Sequence, residues 1–238
     1  MSTSPRQRTA QQLPSGRHGL PRSYIIHNQR ERILHAVVIV AARQGYGAMT
    51  IEEVVAVAGV SRRTYYDHFS NKEEGFLAAY DLVVEQVAEV VTAAFTSGAT
   101  WPERIRRGVG AFLEHLAAEP DLAHLCVVEI LAAGPRALER RTSAMRRFHS
   151  FFLPDEEHAS EAGPDAPLAA EAAIGGLYEI VYGRVLTHQT EELPELLPAL
   201  IRSLLLPFVG RPVADAEYRA AAHHVELRRQ RRETSPAA

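Results

Sequence analysis

Arg62 and Arg63 stand directly behind Ser61, in a position where helix energetics favours acids. A serine there can cap a helix, and each arginine in the first turn then opposes the helix dipole by about 0.3–1 kcal/mol. The neighbouring caps follow the opposite rule: Thr50 is followed three residues later by Glu53, and Asn71 by Glu74, the pattern that satisfies orphan amides at a helix start. After Ser61 the equivalent position holds Thr64. Stability does not explain the two arginines, but bidentate contact with guanine O6 and N7 does, because the guanidinium fork matches that edge. On a helix beginning at Arg62, Arg63 and Tyr66 share a face with it, while Tyr65 and Phe69, four apart, turn inward beneath Ile51, Val54 and Val60. Thr64, Tyr66, His68 and Lys72 are then placed to donate to phosphates, Lys72 from a helix N-terminus that itself attracts anions.

Short helices must position these side chains. Leu34, Val37, Val38 and Ala41 recur at helical spacing until Gly45 and Gly47 stop the run. Ile51, Val54, Val55 and Ala58 mark a second, shorter helix; Gly59 permits a tight turn, and a third helix runs from Ser61 to about Phe69. A long fourth helix follows from Lys72 to about Phe95, with Phe76, Tyr80, Val83, Val87, Val90 and Ala94 on one face. Beyond it, helical stretches are expected near 102–118, 120–133, 135–152, 167–189, 194–208 and 213–232, mostly opened by prolines. With no strand-period segment, the fold class is all-α. The expected divisions are a basic arm without periodicity over 1–22, a helix-turn-helix domain over 23–70, a helical body over 71–232 and a tail over 233–238, with an acidic loop at 154–166.

Charge divides the chain in the same way. Residues 1–72 hold ten Lys/Arg against four Asp/Glu, a net +6, and the remainder carries −9, giving −3 overall. A basic head on an acidic body implies that only the head meets a polyanion. No unbroken run of eighteen apolar residues occurs, and the opening MSTSPRQRTAQQLPSGRHG lacks the apolar centre of a secretory signal, so a soluble cytoplasmic protein that does not enter a membrane is expected. The single cysteine, Cys126, lies in an apolar helical run and reads as an inert thiol.

Thr50 through Leu77 resembles the DNA-binding domain of the TetR (tetracycline repressor) family of bacterial transcription regulators. The likeness rests on Thr50, Ile51, Val54, Ala58-Gly59-Val60-Ser61, Thr64, Tyr66, His68-Phe69, Lys72-Glu73 and Leu77. It implies that Arg62 and Arg63 read bases while Thr64, Tyr66, His68 and Lys72 touch the backbone of an operator, with the cap residues Thr50 and Ser61 also among the DNA-binding set. It also implies an effector pocket in the body and a ligand-driven change in the spacing of two recognition helices. The arm, with Arg6, Arg8, Arg17, His18 and Arg22, either reaches an adjacent minor groove or has no role.

Such modules gain affinity by dimerising on spaced half-sites. The homodimer interface is expected in two helices. Over 167–189, Gly175, Gly176 and Gly183 alternate with Ile174, Leu177, Val181 and Val185; over 194–208, Leu196, Leu197, Leu200, Ile201, Leu204, Leu205 and Phe208 make a wide apolar face, with intramolecular core as the alternative. Trp101, Phe112, Met145, Phe148, Phe152, Tyr178 and Tyr182 are the candidate walls of a small-molecule pocket, Tyr178 and Tyr182 standing out because buried phenols need partners. Glu129 and His115, each in an apolar helix, are either polar anchors or solvent-facing. HExxH, GxSxG, a CxxC pair and a phosphate-cradling glycine loop are all missing, which argues against an enzyme and implies neither metal nor cofactor. A sequence-tolerant architectural DNA binder is the rival, though a −9 body would repel DNA everywhere except at the head.

Overall fold

Proline and glycine punctuation sets the helix boundaries in the computed structural model, which describes residues 21–156, 158 and 163–234. The basic arm up to residue 20, part of the acidic loop and the last four residues of the tail lie outside the described residues. Helix α1 (Arg22–Ala48) starts earlier than its apolar periodicity, because its first turns expose Tyr24 and Ile26 and bury almost nothing. It breaks where glycine was expected to stop it: Gly45 has φ 83° and ψ 154°. Helix α2 (Ile51–Ala58) carries the full capping box between Thr50 and Glu53, and Gly59 closes it in the left-handed conformation, φ 62°. Helix α3 (Arg62–His68) and helix α4 (Lys72–Thr96) follow, capped by Ser61 and Asn71.

The body continues with α5 (Trp101–Ala118), α6 (Pro120–Val127), α7 (Pro135–His149), α8 (Ala166–Leu186) and α9 (Leu197–Thr234). Proline stands in the first turn of α5, α6, α7 and α8, where its missing N–H has no partner to lose. Short 3-10 turns sit at Glu129–Leu131, Ser150–Phe152 and Thr190–Leu196. The two last expected helices are one element bent at Gly210 (φ 68°), between Pro207 and Pro212. Among the described residues there is no strand, and the protein is all-α.

One continuous core links the head to the body. Helix α5 lies at its centre, packing on α4, on α9 and on the 190–196 turn. This corrects one expectation about the partner-facing surface. Leu197, Leu200, Ile201, Leu204, Leu205 and Phe208 are buried within a single chain, Phe208 edge-on to Trp101 at 5.4 Å, so the wide face of α9 closes the core and is not available to a second copy. A face that wide is needed because α9 covers α5 and α8 together. Part of the 190–231 segment is long and apolar enough by composition to cross a membrane, but half of that window is buried in this core. Helix α8 keeps a stripe in solvent: Leu168, Ala172, Gly175, Gly176 and Ile180 are exposed at helical spacing.

Candidate functional site

The head is built around a buried phenol. Tyr65 turns inward from α3 and donates its hydroxyl to the Asn71 carbonyl at 3.1 Å, which fixes α3 against the start of α4. Burial, reinforced by nearby Tyr66 and Glu74, pushes its pKa up to about 12. Gly75 makes the approach possible: a Cβ there would stand 2.2 Å from that hydroxyl. With Tyr65 and Phe69 inside, the opposite face of α3 is left to Arg62, Arg63 and Tyr66, all exposed. Ser61 accepts from the Thr64 amide at 3.0 Å and its hydroxyl meets that of Thr64 at 2.9 Å.

Arg62 is already engaged. It pairs with Glu52 at 2.6 Å and lies over the Tyr66 ring, 5.8 Å from its centroid. Both partners of the ion pair are well exposed, so it is weak and exchangeable. Arg63 makes no ion pair among the described residues. His68 is half-buried beside Phe69; desolvation, with Arg30 adding to it, lowers its pKa, so it is a neutral hydrogen-bonding group at pH 7. Lys72 is placed differently from a simple phosphate donor. Its ammonium donates to the Tyr46 carbonyl at 2.9 Å and the Gly47 carbonyl at 3.3 Å, and lies 4.6 Å from the Tyr46 ring centroid. It therefore ties the N-terminus of α4 to the broken end of α1.

Two residues that position the head were not singled out for it from sequence. Arg32 donates from α1 to the carbonyls of Ala58 and Gly59, the latter at 2.8 Å, so the turn between α2 and α3 is held from below. Nothing in its neighbourhood distinguishes it from a surface arginine. Glu129 is buried rather than solvent-facing, and accepts from the Tyr46 amide at 2.6 Å, across 83 residues. Its second oxygen lies 3.5 Å from His124 Nδ1. The sequence signal was present, an acid in an apolar run, but its partner is a backbone amide freed by the Gly45 break. His115 is half-buried, and desolvation lowers its pKa.

A cleft of about 880 Å³, counting its space open to solvent, runs between α4, α5, α7 and α8. Phe112, Met145, Phe148, Phe152 and Tyr178 line it as expected; Trp101 and Tyr182 do not. Trp101 is turned into the core against Phe208 and donates its indole N–H to the Phe151 carbonyl at 3.3 Å. The walls are otherwise aliphatic and aromatic, with Val84, Val87, Val91 and Phe95 from α4. Few lining side chains are polar: Tyr80, Cys126, Arg141 and Tyr178. Tyr178 donates to the Val127 carbonyl at 2.7 Å, and burial raises its pKa despite Arg141 beside it. Burial pushes the Cys126 thiol up to about 12, so it is inert at neutral pH. Arg141 had a legible signal: it shares the inward face of α7 with Met145 and Phe148, at i, i+4 and i+7.

Residues 33–79, the span that contains the Ser61 turn and the Tyr65–Gly75 contact, match the model of the family described as bacterial regulatory proteins, tetR family. That span is similar to the DNA-binding domain of the TetR family. The chain is 32% identical over 114 residues to the HTH-type transcriptional activator FasR of Mycolicibacterium smegmatis, a match covering 46% of this chain and 50% of that protein. The chain thus spans about half the length of that curated relative. The fatty acid metabolism regulator protein of Bacillus subtilis is 22% identical over 179 residues, covering 73% and 92% of the two chains. Two solved structures share the fold. FadR from Bacillus halodurans has a TM-score of 0.68 at 21% identity, covering 77% of this chain and 97% of its own. FadR from Bacillus subtilis, solved in complex with stearoyl-CoA, has a TM-score of 0.66 at 22% identity, covering 76% and 98%.

Proposed function

We propose that this chain is a sequence-specific DNA-binding transcriptional regulator of the TetR type in the cytoplasm, a homodimer released from a palindromic operator when a small apolar molecule fills the cleft of its body. The observation that carries the DNA reading is the solvent-facing Arg62–Arg63–Tyr66 face of α3, presented directly after an acid-capped helix and a left-handed glycine turn. Arg62 reads a base by exchanging its exposed partner Glu52 for guanine, and Arg63 reads the adjacent one. Thr64, Tyr66 and His68 donate to the backbone. Lys72 contributes charge near the phosphates while its hydrogen bonds hold α4 to α1. The exposed stripe Leu168–Ala172–Gly175–Gly176–Ile180 of α8 supplies the dimer contact, small residues allowing close approach of a second copy.

The effector reading rests on the cleft and on what forms its walls. Helix α4 contributes five lining residues, Tyr80, Val84, Val87, Val91 and Phe95, and begins four residues after α3 ends. A ligand that fits the cleft better in one dimer shape shifts the separation of the two recognition helices through α4. Tyr80 and Phe95 are fifteen residues apart on one helix, roughly 22 Å at 1.5 Å per residue. An acyl chain suits so long and apolar a cleft, and the acyl-CoA-bound Bacillus subtilis relative supports this ligand class.

Selection of bound sequences from random DNA by the purified protein tests the first part. The expected result is a palindrome with two half-sites. Arg62→Ala and Arg63→Ala should each relax preference at one position per half-site by about 1–3 kcal/mol. Equal weakening on every sequence, with no palindrome, refutes base reading and favours an architectural binder.

A further inference from the structure

Four guanidinium groups of α7 lie near α4 or the cleft, and one of them lacks the acid the others have. Arg136, Arg140 and Arg147 pair with Glu73, Asp81 and Glu85 of α4, the first at 3.2 Å and the last at 2.6 Å. Arg141 instead points into the cleft. Among the described residues it has no ion pair; its guanidinium carbon sits 4.0 Å from the centroid of the Tyr178 ring, and its Nε is buried without an acceptor. A partly buried charge on an apolar wall without a counter-ion is costly. Stacking on an aromatic face recovers part of that cost and leaves the in-plane N–H edge open, the edge that binds a carboxylate through two parallel hydrogen bonds.

We propose that Arg141 is the head-group receptor of the cleft, and that the effector is a long-chain amphiphile carrying a free carboxylate, held by Arg141 with its chain lying along α4 toward Phe95. This rests on the reading of the cleft as the effector site and specifies its ligand further. The polar side chains agree with that polarity. Tyr80 and Tyr178 lie close enough to Arg141 for its charge to bear on both phenols, which places the polar end of the cleft near the α4 residues closest to the head. From Val91 onward the α4 contribution is wholly apolar, and Phe95, Phe148 and Phe151 pack together there. A thioester carries no charge at its carbonyl carbon and would leave Arg141 uncompensated, whereas a fatty acid neutralises it.

Calorimetric titration of the full chain with palmitate, the corresponding fatty alcohol and palmitoyl-CoA, repeated on Arg141→Met, tests the proposal. Palmitate is expected to bind roughly ten- to a hundredfold more tightly than the alcohol. In Arg141→Met that preference should vanish while alcohol affinity is retained, which also shows that the variant cleft is intact. The comparison on the native protein stands by itself if the variant fails to fold. Equal affinity for acid and alcohol overturns the carboxylate proposal and leaves the apolar cleft in place as the effector site. Tighter binding of palmitoyl-CoA than of palmitate overturns it in favour of a thioester head. Binding of none of the three removes both this proposal and the acyl reading of the cleft.

Discussion

Glu129 is the point where the body touches the hinge of the head, and its removal should be visible twice, in stability and in signalling. Its carboxylate accepts from the Tyr46 amide at 2.6 Å, just after the break at Gly45, and a hydrogen bond to a charged group contributes about 1.5–3 kcal/mol. Glu129→Ala removes that bond and leaves a partly buried amide unpaired, a loss of about 2 kcal/mol. For a chain of this length each kcal/mol moves Tm by roughly 2–4 °C, so the midpoint should fall by about 4–8 °C. Glu129→Gln keeps a neutral acceptor and should lose about half as much. The same turn follows Val127, whose carbonyl accepts from Tyr178 in the cleft wall. In Glu129→Ala a cleft ligand should therefore bind with near-native affinity yet release DNA less, its effect on operator affinity shrinking by part of the about 1–3 kcal/mol typical of such coupling. Thermal unfolding by circular dichroism and operator titration with and without ligand read the two quantities. If Glu129→Ala is as stable as the native protein and its DNA release is unchanged, the contact carries neither load and the reasoning is refuted.

Gly75→Ala should destabilise the head by about 1–3 kcal/mol, because the added methyl meets the Tyr65 hydroxyl at 2.2 Å and the Tyr65 ring has no room to retreat. Adding Tyr65→Phe removes that oxygen, so in urea titrations the double variant should be more stable than Gly75→Ala alone; if it is less stable, the clash is not the cause. His115 adds a pH dependence. Its folded pKa is depressed below 6.5 by burial, so the unfolded chain binds the proton more readily: its contribution is complete above pH 6.5 and is lost as pH falls toward the folded value. Denaturation midpoints of His115→Leu should therefore fall less than those of the native protein on going below pH 6.5, and parallel curves would exclude His115 as a source of the acid loss.

The local layers of this molecule were legible because they are governed by neighbours in sequence. Caps at Thr50, Ser61 and Asn71, the left-handed turn at Gly59 and the inward–outward division of α3 follow from spacings of three and four residues, and each is present. The all-α class followed from periodicity in the same way. The cleft was partly legible, since five of seven named side chains line it, while Trp101 and Tyr182 fall outside because aromaticity does not say which side of a helix faces a void.

The face of α9 was misjudged for a related reason: an apolar surface has the same pattern whether it meets another helix of its own chain or a second copy. Tertiary structure alone decided that Leu200, Ile201, Leu204 and Leu205 close the core. It also decided that Lys72 braces the end of α1, that Glu129 caps a hinge 83 residues away, and that Arg141 enters an apolar cleft without an acid beside it. Hydrogen bonds to backbone groups and missing counter-ions leave no periodic trace in a sequence. They depend on which helix ends and which faces meet once the chain has packed.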